Sequence, residues 1–315
     1  MPISPLRPVA VAALLVGLVS TGVVPAAQTP SAGPGRQAAA DTPLAADLRR
    51  GFESRLAAVV EELDGVAGYA IIDLTTGRRF DRLAGDAFPT ASTIKLAVLY
   101  ELLKQAEEGR LDLDRITPLD RAQTVAGSGI LQHLRAPSLS LRDHAALMMI
   151  LSDNTATNVV IDAVGMDRVN ARMTAIGATP TLLRRKMMDA AAAARGDENV
   201  ASPGALARTA TLLWRGEGLT AASREEAHRI LRQVGGQIRR ATPARVPVFS
   251  KTGSLAAVRA EAAVVDLEGR PYAMAVMTTY LAADADGDRA VFEIASAAHG
   301  YFERLAAGGA YGRRP

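Results

Sequence analysis

Apolar positions first recur at helical spacing. Leu44, Leu48, Phe52, Leu56, Val59, Val60 and Leu63 keep to one face, which predicts a helix over 43–63. A continuous β-branched run, Val66 to Leu74, then ends at the turn Thr75-Thr76-Gly77, and Arg78-Arg79-Phe80 starts a second strand, so a hairpin is expected. Ile94 to Glu107 is apolar nearly all round, the pattern of a buried helix, with Gly109 placed to cap its C-terminus. Ser140 with Asp143 three residues on fits a capping box before the apolar run 145–151. Ser202 followed by Pro203 opens another helix, running to Trp214. Strand patterns return at Pro247–Ser250, Ala262–Leu267 and Tyr272–Tyr280, the last two joined by the turn signal Glu268-Gly269. A closing helix is expected over about 288–306, after an Asp-rich turn. Strands at both ends of the chain therefore flank a helical middle. The predicted fold is α+β: an antiparallel sheet with flanking helices, built from 43–88 and 236–310, beside an all-helical region over 89–235. No internal repeat is visible.

The first 42 residues follow a different rule. Arg7 is the lone charge before the hydrophobic run Val9–Val24, which Gly17, Ser20, Thr21 and Gly22 interrupt. Val24-Pro25-Ala26 then offers the small residues that a signal peptidase needs. The run is short for a membrane span, and a retained membrane anchor is the competing reading. Residues 1–26 read as a signal peptide for the general secretory route and 27–42, rich in Ala, Pro, Ser, Gly and Gln, as a flexible linker. The expected location is secreted or periplasmic, without stable membrane insertion once the signal is removed.

Composition narrows the chemistry. Among 315 residues there is no cysteine, which excludes disulfides, thiolate metal sites and a cysteine nucleophile. A net charge of +3 over this length is weak for nucleic acid, which is not expected as a partner. The run Arg184-Arg185-Lys186 reads as solvated or locally ion-paired. His133, His144, His228 and His299 share no metal-ligand spacing, and Asp284, Asp286 and Asp288 do not match a calcium loop, so no metal or cofactor is expected. Met148, Met149, Met187 and Met188 read as core filler, and Arg259 as an ion-pair partner.

Three short motifs remain. Ser92-Thr93-Ile94-Lys95 opens the buried helix, Ser152-Asp153-Asn154 lies between two helices, and Lys251-Thr252-Gly253 ends a strand. Residues three apart on a helix are neighbours, so the Lys95 amine is expected within reach of the Ser92 hydroxyl. A serine attacks only when a base takes its proton. A lysine serves only when burial or a nearby cation, such as Lys251, lowers its pKa. The backbone N–H of Ser92, at a helix start, is free to bind a developing oxyanion. Alone, Ser-x-x-Lys is common. With both companions in this order the signal is specific, since each companion arises by chance in only about one such chain in ten.

These residues resemble the class A β-lactamase and penicillin-binding-protein superfamily of serine acyltransferases. The resemblance spans about 43–310. It implies Ser92 as nucleophile, Lys95 as its proton acceptor and Ser152 as the hydroxyl that protonates the leaving nitrogen. It further implies that Asn154 holds the substrate's side-chain carbonyl, and that Lys251 and Thr252 hold its carboxylate. Gly253 then admits the substrate to the strand, and the N–H of Ser254 is the second oxyanion donor. One position departs from the pattern. Class A enzymes carry a glutamate that activates the deacylating water, and Met187 stands in its place; a thioether takes no proton from water. Asp189, Asp197 and Glu198 are the acids left on that loop. The expectation is an exported serine hydrolase, monomeric, that opens β-lactams through a Ser92 acyl-enzyme and deacylates slowly. A penicillin-binding-like peptidase or esterase acting on cell-wall peptides or esters, and a β-lactam-binding module without turnover, are the alternatives.

Overall fold

The computed structural model describes residues 1–2, 42–309 and 312–313. The expected signal peptide and nearly all of the expected linker lie outside the described residues. Every element below belongs to one compact unit, residues 38–315.

The strands, in chain order, are β1 (Val66–Asp73), β2 (Arg79–Arg82), β3 (Phe88–Pro89), β4 (Ile116–Pro118), β5 (Ser138–Ser140), β6 (Thr181–Leu182), β7 (Val200–Ala201), β8 (Val248–Leu255), β9 (Val258–Val265) and β10 (Tyr272–Thr279). The helices are α1 (Pro43–Glu61), α2 (Lys95–Glu107), α3 (Leu141–Ile150), α4 (Asn154–Val164), α5 (Met166–Ala175), α6 (Ala190–Ala194), α7 (Pro203–Arg215), α8 (Ala221–Leu231), α9 (Gln237–Arg240) and α10 (Asp284–Ala307). The main sheet is antiparallel, in the order β2-β1-β10-β9-β8. It is drawn from both ends of the chain, as the hydropathy pattern predicts. The middle region is not purely helical: β3, β6 and β7 form a small second sheet and β4 pairs with β5.

Alternation along the strands fills both faces of the sheet. On one face Tyr69, Ile71, Met274 and Val276 pack under α1 and α10 with Phe52, Leu56, Tyr301 and Phe302. Phe52 stacks on Tyr301 with ring centroids 4.5 Å apart, and Phe80 meets both edge-on. On the other face small residues dominate: Ala70, Ala260, Ala262 and Ala275 let the helical region approach closely. There α2 runs through the middle of the core, with Leu96, Val98, Leu99, Leu102 and Leu103 buried. Each such side chain contributes about 1.5–3 kcal/mol. That burial explains why the sequence pattern there has no polar face.

Local chemistry sets the boundaries. Ser140 and Asp143 make the reciprocal capping box at α3, and Ser202 caps α7 with Pro203 at its first position. Three expectations are corrected. The strand carrying Lys251 runs on to Leu255, so the motif lies within β8 and not at its end, because β9 begins at Val258 and pairs along its whole length. The Asp-rich segment is the first turn of α10, where acidic side chains favour the positive end of the helix, and no longer a preceding turn. Met148 and Met149 are core residues, but Met188 is 52% exposed.

Candidate active site

Ser92 does not lie in an α-helix. It sits in a single 3-10 turn, Ala91–Ile94, ahead of α2. Ala91 before it has φ +46°, a left-handed conformation unusual for a residue with a side chain. The turn leans on β8. A Cβ on Gly253 would stand 2.8 Å from the Ser92 nitrogen and 2.7 Å from the Thr90 carbonyl, so only glycine lets the strand backbone pass this close. Ser254, the next residue, lines the same cleft as Ser92.

Lys95 is the first residue of α2 and is wholly buried. Its Nζ lies 2.8 Å from the Ser152 carbonyl, 3.0 Å from Ser152 Oγ and 3.3 Å from Asn154 Oδ1. The expected neighbour, three residues back, is Ser92; the hydrogen bonds of the amine go instead to the segment between α3 and α4. Lys251 approaches the same hydroxyl from the sheet, with Nζ 3.2 Å from Ser152 Oγ and 2.9 Å from the Thr252 carbonyl. Ser152 Oγ thus stands between two buried lysines.

That segment is held firmly. Ser152 has φ +53°. Asp153 caps α4 by accepting from Ala156 N at 2.9 Å, and its other oxygen accepts from Ile130 N and Leu131 N at 2.7 and 2.9 Å. Asn154 N donates to the Ser128 carbonyl and its amide nitrogen to that of Ala126. The Gly127-Ser128-Gly129 segment, unremarkable in sequence, is therefore part of the cleft wall. Gly129 has no room for a Cβ because Asp153 fills it.

Burial governs the electrostatics. It lowers Lys95 to a pKa of about 6, with the nearby Lys251 charge acting in the same direction and Asp153 opposing. Lys251 is lowered to about 8, again by burial, with Glu261 opposing. Lys95 is therefore largely an unprotonated amine at neutral pH, and Lys251 largely an ammonium.

The cleft holds about 340 Å³, and Ser92, Asn154, Ser254, Met188 and Leu255 are on its wall. Its remaining wall is the loop 183–199. Arg185 pairs with Glu198 at 2.8 Å, and Asn199 Oδ1 accepts from the nitrogens of Arg184 and Arg185 at 2.7 and 3.0 Å. Asn158 clasps the backbone of Met187 from both sides, at 2.8 and 3.1 Å. The acids on the loop are all committed. Asp189 caps α6, Asp197 pairs with Arg195 at 3.1 Å, and Glu198 pairs with Arg185. Lys186 pairs with Asp162, so two charges of the basic run, Arg185 and Lys186, are locally ion-paired. Arg259 is likewise committed, to Asp284 and Asp288 at 3.0 and 3.2 Å.

Residues 51–302 match the model of the beta-lactamase enzyme family. The chain belongs to that family. Beta-lactamase CARB-3 of Pseudomonas aeruginosa is 28% identical over 207 residues, covering 64% of this chain and 72% of that protein. The crystal structure of a beta-lactamase from Sphaerobacter thermophilus DSM 20745 superposes with a TM-score of 0.73 at 29% identity, over 79% of this chain and 97% of that one. PBP-A superposes with a TM-score of 0.75 at 25% identity, over 81% and 97% of the two chains, and a mutant of it has been solved as an acyl-enzyme complex with penicillin-G. The protein is thus a hydrolase of the class A β-lactamase type. Its fold is the expected one. Of the eight residues singled out by motif, Lys95, Ser152, Asn154 and Lys251 are brought together by hydrogen bonds. Ser92 and Ser254 meet at the cleft wall, with Gly253 behind them. Thr252 borders a smaller neighbouring cavity, which shares Ser254 with the cleft and takes in Arg259 and Glu261. Sequence reasoning missed Asn158 and Asn199, whose work is done through loop backbone. It also missed Glu261, a buried acid between the alanines of β9.

Proposed function

We propose that this hydrolase is exported and opens β-lactam amides through a Ser92 acyl-enzyme, which water then releases slowly. The observation that carries the reading is Ser152 Oγ held between an unprotonated Lys95 and a charged Lys251, beside a cleft that Ser92 lines. Neutral Lys95 takes the Ser92 proton as Ser92 Oγ attacks the amide carbon. The N–H groups of Ser92 and Ser254 stabilise the oxyanion. Ser152 donates its proton to the leaving nitrogen as the C–N bond breaks, and Lys95, 3.0 Å away, returns to Ser152 the proton it took from Ser92. Lys251 and Thr252 hold the substrate carboxylate, and Asn154 its side-chain amide. Slow release follows from Met187 and from the committed state of Asp189, Asp197 and Glu198. A general base is worth about 10²–10⁴ in rate.

Met187 also favours a second reading, a penicillin-binding-like enzyme whose acyl donor is a cell-wall peptide. It uses the same Ser92 and differs in what takes the acyl group. Export rests on Arg7, the run Val9–Val24 and the small residues through Ala26; among the described residues no helix is long and apolar enough to cross a membrane. Intact-mass spectrometry after mixing with penicillin tests the mechanism. The expected result is an adduct of one penicillin that forms quickly, decays slowly and is missing in Ser92→Ala. An adduct of equal yield in the alanine variant overturns the assignment. Fast steady turnover without a detectable adduct overturns slow deacylation.

A further inference from the structure

Two of the large apolar side chains that the fold leaves exposed line the same cleft. Met188 is 52% exposed and Leu255 38%, and both are on the wall that holds Ser92 and Asn154. Exposed apolar residues scattered singly are ordinary. Two of them on one concave wall, beside a few polar groups, are the make-up of a ligand pocket.

Met188 is held in place by its neighbours. Met187 before it is fixed through its backbone to Asn158, at 2.8 and 3.1 Å. Asp189 after it accepts from Ala192 N at 2.9 Å at the start of α6. Met188 itself has φ +63°, a conformation uncommon for a residue with a side chain. Its backbone is anchored on both sides, while its thioether stays half in solvent. Gly127 lies next to that thioether. A Cβ on Gly127 would stand 2.7 Å from Asn154 Nδ2 and 3.4 Å from Met188 Sδ, so the sulfur reaches the Asn154 end of the cleft over a residue with no side chain of its own. Leu255 arrives from the sheet, as the last residue of β8 and the one after Ser254.

The charges of this wall leave nothing for an anion. Among the described residues that line the cleft, Arg185 is the one cation, and it pairs with Glu198 at 2.8 Å. Asp189, which caps α6, adds a further negative charge. We propose that Met188 and Leu255 form an apolar clamp on the acyl side chain of the substrate, so that the site takes β-lactams with an uncharged, apolar side chain in preference to those with an anionic one. The proposal rests on the acyl-enzyme reading, in which Asn154 holds the side-chain amide. The group beyond that amide then packs against the Met188 thioether and Leu255. A thioether is adaptable and makes favourable contacts with aromatic rings. An anionic group in the same place is desolvated against apolar side chains with no cation to pair with.

Three compounds with one nucleus test the clamp. Benzylpenicillin has a side chain ending in a phenyl ring, carbenicillin adds a carboxylate to that side chain, and the aminopenicillanic nucleus has no acyl side chain. The readout is the second-order rate of adduct formation. Benzylpenicillin should acylate the wild-type protein about tenfold faster than carbenicillin, the lower end of what contacts in an apolar pocket discriminate. Met188→Ala and Leu255→Ala should each slow benzylpenicillin by about tenfold and leave the bare nucleus within about twofold. Met188→Lys places a cation on the wall and should narrow the preference for benzylpenicillin over carbenicillin by about tenfold. If Met188 only braces the loop, its alanine variant slows all three compounds alike, and the proposal is overturned. Equal wild-type rates for benzylpenicillin and carbenicillin overturn it as well. Equilibrium binding of the same compounds to Ser92→Ala repeats the comparison without acylation. There benzylpenicillin should bind more tightly than carbenicillin, and adding Met188→Ala should narrow the difference; equal affinities count against the clamp. If that order of binding holds but the wild-type protein forms no adduct, the clamp stands and the acyl-enzyme reading fails.

Discussion

The acylation rate should trace a bell against pH, with limits set by two buried lysines. Lys95 must be unprotonated to take the Ser92 proton, and its pKa of about 6 sets the acid limb. Lys251 must be protonated to hold a substrate carboxylate, and its pKa of about 8 sets the alkaline limb. The signs follow directly. A depressed lysine gains its proton as pH falls through the folded value, so activity drops about tenfold per unit of pH below about 6 as the base is consumed. Above about 8 the binding cation is lost. An ordinary lysine at pH 7.4 is unprotonated in about one molecule in a thousand, so the burial of Lys95 raises the available base by about 10³-fold. That availability is worth at most about 4 kcal/mol of barrier, less what the weaker basicity of a depressed lysine gives back. The assay is the pre-steady-state burst with a chromogenic cephalosporin between pH 5 and 9.5, whose carboxylate does not titrate in that window. Lys95→Arg should give no burst at any of these pH values, because a guanidinium stays protonated. A flat profile from pH 5 to 9, or near-normal acylation by the arginine variant, refutes the base role of Lys95.

Gly253→Ala should slow acylation by about 10²-fold, the cost of misplacing a nucleophile by an ångström, because its Cβ meets the backbone of Thr90 and Ser92; a burst of unchanged rate in a folded variant counts against the close approach. Met187→Glu should shorten the life of the penicillin adduct by about 10²–10⁴-fold, since the Asn158 clasp holds the backbone and only the missing base is restored. The same lifetime in a variant of unchanged melting temperature shows that the loop does not aim residue 187 at the ester. Asp189→Asn should leave the adduct lifetime unaltered, because its carboxylate caps α6; time-resolved mass spectrometry reads both variants.

What was legible in the sequence was whatever a local rule writes. The capping box at Ser140 and Asp143, the proline at the start of α7 and the unbroken apolar helix α2 are short-range statements, and each is found where it was expected. The strand ends were not legible. Val258, Arg259, Ala260 and Glu261 alternate apolar and charged residues over only four positions, and it is pairing with β8 that carries the strand back to Val258. The site divides the same way. Three motifs name the residues, but their spacing does not say which atoms meet. Helical adjacency pairs Lys95 with Ser92, whereas the folded chain turns its amine toward Ser152 and Asn154, 57 and 59 residues away. Contacts of that range depend on the left-handed bend at Ser152, a residue type that gives no hint of it.

The loop 183–199 shows why its acids could not be ranked by counting. By position, Asp189 is nearest to the missing glutamate; by chemistry, each acid is judged by what it already holds. Asp189 satisfies the first turn of α6, and Asp197 answers Arg195. Glu198 answers Arg185, and that bond closes the loop against the site. Freeing Asp189 or Glu198 to act as a base breaks a bond made by a residue that lines the cleft. In the proposed mechanism Lys95, Ser152 and Lys251 act as one hydrogen-bonded unit, and the loop meets the Ser92 turn through Thr90, whose N–H and hydroxyl both donate to the Asn199 carbonyl. The half that would release the ester is built from the loop and from Asn158 of α4, which holds Met187 by its backbone. One thioether at Met187 can therefore slow release without loosening the acylation machinery, and the two rates are separable by substitution in a way they would not be had one carboxylate served both steps.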